Sequence, residues 1–320
     1  MKYFIITIDT EGDNLWEYNQ GDPIKTENAR YIPRFQTLCE KFNFKPVYLV
    51  NYEMAEDNFF CNFANEILVR DKCEIGIHLH AWNNPPYYEL QKGGKTCGLP
   101  YLIEYPRHIM AEKFTVLHKL LSEKFNTEII SHRSGRWAMN QNYFDILIDH
   151  GIKIDCSVTP HASWESTAGF SADSKGSNYL QSPENPYMVK HSSALTNILE
   201  VPVTIRKLRR FSFGSIKHPR AFLKNFLAIF TGKPVWLRPK GSNLQDMLTL
   251  VEHIKKSGDD YLMFMLHSSE LMPNGSPTFR TENSIERLYS DLQILFEKIS
   301  SNFSGITLKE YLSVVDKQKL

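Results

Sequence analysis

Two acids stand one residue apart near the N-terminus, in Ile8-Asp9-Thr10-Glu11-Gly12-Asp13. Two histidines stand one residue apart in Glu74-Ile75-Gly76-Ile77-His78-Leu79-His80. An arginine follows in Ser131-His132-Arg133-Ser134-Gly135-Arg136, and a further histidine in Met265-Leu266-His267-Ser268-Ser269-Glu270. Each polar group closes a run of buried-strand character. In an extended chain, residues two apart share a face. His78 and His80 therefore point one way, as do Asp9 and Glu11 if their strand continues that far. Two imidazoles and one carboxylate from neighbouring strand ends form the donor set of a catalytic zinc site with an open position. Such a metal polarises a carbonyl and activates water. A second carboxylate within hydrogen-bond reach could take the water's proton, and His267 could protonate a leaving group. Arg133, at a buried strand end, needs a buried carboxylate partner because an unpaired charge there is costly. Asp9 and Asp155 are the candidates.

The elements that must position these groups alternate between two periods. Strands are expected at Tyr3–Ile8, Pro46–Val50, Glu74–Leu79, Glu128–Ser131, Ile152–Asp155, Ile198–Ile205 and Tyr261–Leu266. Helical spacing marks Ile32–Phe42, Phe59–Val69, Ala111–Phe125, Tyr143–His150 (with Gly151 as C-cap), Leu244–Lys256 and Ser284–Ile299. Residues 82–107 and 157–194 read as irregular. Strand–helix alternation without internal repeats predicts an α/β fold with a parallel sheet or barrel. The expectation is one catalytic domain over residues 1–320, with insertions near 82–107 and 206–245.

The bulk numbers exclude little. The chain has 320 residues, 42% hydrophobic and 23% charged, which one α/β barrel accommodates. A net charge of +1 and the lack of a binding motif argue against nucleic acid. Cys39, Cys61, Cys73, Cys97 and Cys156 lack metal-ribbon or CxxC spacing, as in a reduced cytoplasmic protein. Tyr3–Ile8 is too short for a signal segment, and no run approaches the ~20 apolar residues of a span. Membrane contact is then peripheral, at the inner face.

As a set, the motifs resemble the polysaccharide deacetylases of the NodB-homology type, carbohydrate esterase family four. The resemblance rests on Thr7–Asp13, Glu74–His78, Arg133–Arg136 and Leu266-His267. Leu199–Val203 and Ile306–Tyr311 resemble further segments of that fold. It implies a distorted (β/α) barrel of about seven strands and a divalent metal, zinc first, with cobalt, nickel or manganese as alternatives. It also implies hydrolysis of the amide of an N-acylated sugar. Carried over, Asp9 is the base, Glu11 and His78 are metal ligands, Arg133 orients Asp9 and His267 is the acid. The family's second histidine falls at Trp82, so His80 is taken as the third ligand. Asp13 rivals Glu11 as the carboxylate ligand. The third motif lacks its proline, and Asp155 and Trp164 are the candidates for the fourth. Trp82, Asp155, Trp164 and Arg136 are the expected substrate contacts. These departures fit a divergent branch acting on an intermediate of surface-polysaccharide synthesis.

Two other readings stay open. One is a non-catalytic carbohydrate-binding barrel using Trp82, Tyr87, Tyr88 and Trp164; the other is a hydrolase of a small non-sugar amide. Between Glu200 and Asp246 there is no acid, and Arg206, Lys207, Arg209 and Arg210 begin a basic run interleaved with aromatics. Residues 206–240 could meet an anionic membrane, or hold the diphosphate of a lipid- or nucleotide-linked sugar. They could equally form an inserted helix with a solvated basic face.

Overall fold

A computed structural model describes residues 1–19, 21–88, 90–92, 95–171, 173–209 and 232–318. Its strands are β1 Tyr3–Thr10, β2 Pro46–Val50, β3 Glu74–Leu79, β4 Leu90–Lys92, β5 Lys95–Cys97, β6 Ser131–Ser134 and β7 Ile154–Asp155. They continue with β8 Tyr187–Lys190, β9 Asn197–Glu200, β10 Ile205–Leu208, β11 Lys233–Trp236, β12 Tyr261–His267 and β13 Ser304–Gly305. The helices are α1 Ile32–Lys41, α2 Tyr52–Glu56, α3 Asn58–Val69, α4 Arg107–Phe125 and α5 Gln141–Asp149. After them come α6 Leu244–Lys256, α7 Glu282–Ser300 and α8 Leu308–Gln318.

The main sheet runs β12-β1-β2-β3-β6-β7-β9-β8. Its first seven members are parallel and β8 joins antiparallel. The sheet curls into a distorted (β/α) barrel. Its open side is bridged by irregular backbone: Leu237 N–H donates to Thr204 O (3.1 Å), Met265 N–H to Leu237 O (3.3 Å), and Met263 N–H to Thr204 Oγ1 (2.7 Å). A sheet covered on both faces explains why its strands read as continuous apolar runs. Ile5, Val47, Leu49, Ile154, Leu199 and Met263 fill the interior. Phe4, Ile6, Ile8, Ile75, Ile77 and Phe264 face the helices, against Phe35, Phe60, Phe114, Leu292 and Phe296. At the bottom, Leu308 and Tyr311 of α8 pack into the interior cluster.

Several expected boundaries move. The strand expected at Glu128–Ser131 lies at Ser131–Ser134, so His132 and Arg133 are inside it. The run Ile198–Ile205 is broken after Glu200, where Pro202 has no N–H for a ladder. The irregular region 157–194 contains β8. The loop 82–107 carries the β4–β5 hairpin and is anchored by Lys113, whose Nζ donates to the carbonyls of Asn84 and Pro86 (both 2.7 Å). Gly151, at φ +79°, follows α5 as expected. Of the acid-free run, 210–231 lies outside the described residues; 206–208 and 233–236 form an antiparallel hairpin. Among the described cysteines, Cys39, Cys61, Cys73 and Cys156 are free and buried.

Candidate metal centre and active site

Parallel register brings the motifs to one rim. Asp9 of β1 pairs with His267 of β12, and His78 of β3 pairs with Arg133 of β6. β1 runs to Thr10, so Asp9 keeps its inward face and Glu11 follows immediately. The backbone N–H of Glu11 donates to Ser268 Oγ (3.1 Å), which fixes the strand end.

Glu11, His78 and His80 are all buried, with one ligand atom each within 4.8 Å of the others. Glu11 Oε2 lies 2.8 Å from His80 Nε2 and 3.3 Å from His78 Nε2. His78 Nδ1 lies 3.0 Å from the Arg133 carbonyl oxygen. A carbonyl only accepts, so Nδ1 carries the proton and, in the neutral ring, Nε2 turns its lone pair to Glu11. Two acceptors then face each other, a contact relieved by a bound cation or by a proton on the ring; burial opposes that proton, but Asp9 and Glu11 outweigh it and raise the His78 pKa. Burial pushes the Glu11 carboxyl up, but His267, His78 and His80 together outweigh it and hold it well below the usual range. Burial keeps His80 below the ordinary imidazole value. One carboxylate and two imidazole Nε2 atoms fit a divalent cation of the zinc type. The hydrogen bond from His78 Nδ1 to a main-chain oxygen is the outer support that such ligands use. Asp13 is not part of this set. Its carboxylate accepts from the backbone N–H groups of Glu27 and Asn28 (3.0 Å each), so it braces a turn.

Asp9 sits beside the cluster. Its Oδ1 accepts from Arg133 Nη1 at 2.6 Å, while Arg133 also donates to Thr7 Oγ1 (2.9 Å) and Cys156 O (3.0 Å). Burial would raise the Asp9 pKa, but Arg133, His78 and His267 hold it below the usual value. The other oxygen, Oδ2, lies 3.7 Å from His267 Nε2. The far side of the His267 ring meets Glu270: Nδ1 is 3.1 Å from Oε2, and the His267 backbone N–H donates to the same oxygen at 2.9 Å. Arg238 contacts Glu270 Oε2 at 3.2 Å. Burial raises the Glu270 pKa, but Arg238 and His267 overcome this and hold it low.

These groups open into a cavity of about 460 Å³, with Asp9, Glu11, His78, His80 and His267 on its floor. Trp82, Trp164 and Arg136 line its wall, where sequence placed substrate contacts. Asp155 does not reach it. Fully buried behind β6, it bonds His132 Nδ1 (2.6 Å) and Ser157 Oγ (2.8 Å). Register explains this: Asp155 pairs with His132, and both share the face opposite Arg133. Arg133 accordingly takes Asp9 as its partner. Tyr88 bonds Glu112 and packs on Tyr105, away from the cavity, and Tyr87 lines a neighbouring cleft. Glu270, Trp16, Tyr101 and Trp137 were missed, and Arg238, although inside the basic run 206–240, was not placed beside His267. Of these, Glu270 had a signal: it stands three residues after His267 in a 3-10 turn.

No family model and no curated protein matches the sequence. Solved structures do. A protein from Parabacteroides distasonis, provisionally described as a glycoside hydrolase/deacetylase, superposes with a TM-score of 0.62 at 10% identity, over 99% of this chain and 71% of its own. A family 57 glycoside hydrolase branching enzyme from Thermococcus kodakaraensis gives 0.53 at 10% identity, over 98% and 71%. Both share the distorted (β/α) barrel of this chain. A Mycobacterium smegmatis protein, provisionally described as a polysaccharide deacetylase, matches over 100% of this chain and 92% of its own at 13% identity and a TM-score of 0.49. Seven parallel strands surround the rim cluster, so the barrel anticipated from the motifs is present on the sheet topology and the 0.62 superposition. Among the described residues, no helix is long and apolar enough to cross a membrane.

Proposed function

We propose that the protein is a metal-dependent hydrolase that removes the acyl group of an N-acylated sugar. One observation carries the reading: the Glu11-His78-His80 cluster shares a cavity with the Arg133-paired Asp9 and the Glu270-paired His267. A divalent ion held by Glu11, His78 and His80 would polarise the amide carbonyl and stabilise charge developing on its oxygen. Asp9, ionised at neutral pH, takes a proton from the attacking water through Oδ2. Arg133 holds Oδ1 and fixes the carboxylate plane. Water adds to the carbonyl carbon, the C–N bond breaks, and His267 delivers a proton from Nε2 to the departing nitrogen. Glu270 keeps the imidazole turned for that delivery. Trp16, Trp82 and Trp164 supply apolar walls for a sugar ring.

The finer assignment is an intermediate of surface-polysaccharide synthesis, lipid- or nucleotide-linked, handled at the inner membrane face. It rests on the divergent motifs and on the basic run 206–240.

The test couples metal content to acetate release. Protein purified without chelator is expected to hold near-stoichiometric zinc or another divalent ion, lost in His78→Ala and His80→Ala. It should release acetate from N-acetylated sugars and not from small amides, with a loss of about 10²-fold or more in Asp9→Asn. A metal-free wild type that stays empty after zinc is supplied would overturn the reading.

A further inference from the structure

We infer that the sugar taken by this cavity carries an anionic group, which Arg136 reads; the inference rests on the hydrolase reading of the same site. Two arginines line the cavity. Arg238 is engaged by Glu270 at 3.2 Å. Arg136 is exposed, and its guanidinium has no hydrogen bond or carboxylate partner among the described residues. It lies over the rings of Tyr101 and Trp82, 5.1 and 5.7 Å from their centroids. Both rings are themselves held. Tyr101 Oη donates to Thr167 O (3.0 Å), and Gly98 backs Trp82 so closely that a Cβ there would come within 2.9 Å of Trp82 Cα.

The backbone is committed to the same end. Arg136 and Trp137 have φ of +54° and +59°, a conformation unfavourable for residues with a Cβ and more so for a bulky indole. That turn projects the two side chains into the cavity wall. The position also opposes the site's own chemistry. Arg136 lines the same cavity as Glu11, His78 and His80, so its positive charge would oppose a divalent ion held there. A stacked, preorganised guanidinium with open donors beside a cation site is balanced when an anion joins it. A planar fork of donors suits a carboxylate or phosphate, where a neutral hydroxyl would use one donor. The ligand class is therefore an N-acyl sugar bearing a carboxylate, as in an amino-uronic acid, or a phosphate, as in a sugar phosphate.

The experiment measures binding by calorimetry and, in parallel, acetate release. The metal-supplied protein is given N-acetylglucosamine, N-acetylglucosamine 1-phosphate, N-acetylglucosamine 6-phosphate and N-acetylgalactosaminuronic acid. At least one anionic sugar is expected to bind about tenfold to a hundredfold more tightly than the neutral one, with the advantage shrinking as salt rises. The tighter arm tells phosphate from carboxylate. In Arg136→Gln the preference should collapse towards one, and in Arg136→Lys part of it should return. No preference in the wild type, or a preference unchanged in Arg136→Gln, overturns the inference. The wild-type comparison stands even if a variant fails to fold. The two readings fail separately. Acetate release from neutral and anionic sugars alike would leave the hydrolase and sink the anion site; an Arg136-dependent preference without release would do the reverse.

Discussion

At the scale of single residues, the site is a set of neighbours that set one another's charge. Asp9 is the clearest case. Burial raises its pKa, and Arg133 is the first group that reverses this, ahead of His78 and His267. A base must be ionised to accept a proton, so the acidic limb of the pH–rate profile should follow the Asp9 pKa. Replacing Arg133 by Met removes the largest opposing influence and lets burial dominate. The acidic limb should then move to higher pH, with Arg133→Lys intermediate because its point charge replaces one arm of the fork. The same pairing contributes to the fold. A carboxyl held below its unfolded value contributes stability above that value and loses it as pH falls. Arg133→Met should therefore cost about 3–5 kcal/mol at neutral pH by leaving Asp9 buried and unpaired. Denaturant unfolding checks the cost, and kcat/KM against pH checks the shift. An unmoved acidic limb in a folded Arg133→Met protein would show that Asp9 is not the base.

At the scale of elements, strand ends deliver chemistry because neighbouring strands touch. β3 and β6 pair through His78–Arg133, and the chain leaving β6 passes directly over His80. Gly135 is what allows it: a Cβ there would stand 2.5 Å from Leu79 O and 2.9 Å from His80 Nδ1. Gly135→Ala should push the His80 ring off its line to Glu11 and weaken metal binding by about 10- to 100-fold, as loss of outer support commonly does. Metal titration against a chelator, beside a melting curve showing the barrel intact, measures this; unchanged affinity would remove His80 from the ligand set. Which elements were legible in sequence follows from the same geometry. Asp9 and His78 lie inside β1 and β3, and Glu11 and His80 one residue past their ends, so all four could be read from the two-residue alternation of long buried strands. Asp155 could not, since β7 is two residues long and shows no alternation; only its pairing with His132 reveals the face it occupies. Glu270 left only its three-residue spacing from His267 as a signal, and Arg238 left no sign of its place beside His267, for another reason. They reach His267 from a 3-10 turn and from an irregular bridge, where side-chain direction has no period. Pro202 was visible, but the break it causes in Ile198–Ile205 looks like continuous strand in a run of β-branched residues.

At the scale of the whole molecule, the two ends of the barrel do different work. The rim gathers buried charge, including Glu11, Asp9, Arg133 and Glu270, each requiring a partner to be tolerated. The bottom is closed by α8, which inserts Leu308 and Tyr311 beside Ile5 and Tyr261 and ties Tyr311 Oη to Asp260 Oδ1 at 3.0 Å. In barrels of this kind, chemistry belongs to the C-terminal strand ends, and packing at the opposite end belongs to stability. Leu308→Ala separates the two. Leu308 is fully buried, so its truncation should leave a cavity costing about 2–5 kcal/mol. Metal stoichiometry and acetate release at a temperature where the variant remains folded should match the wild type. The rim contacts, Asp9–Arg133, His267–Glu270 and the Glu11 cluster, do not pass through α8. A Leu308→Ala protein that stays folded but loses its metal would mean that packing at the bottom sets the register of β1 and β12 at the rim. The two ends would then be one cooperative unit.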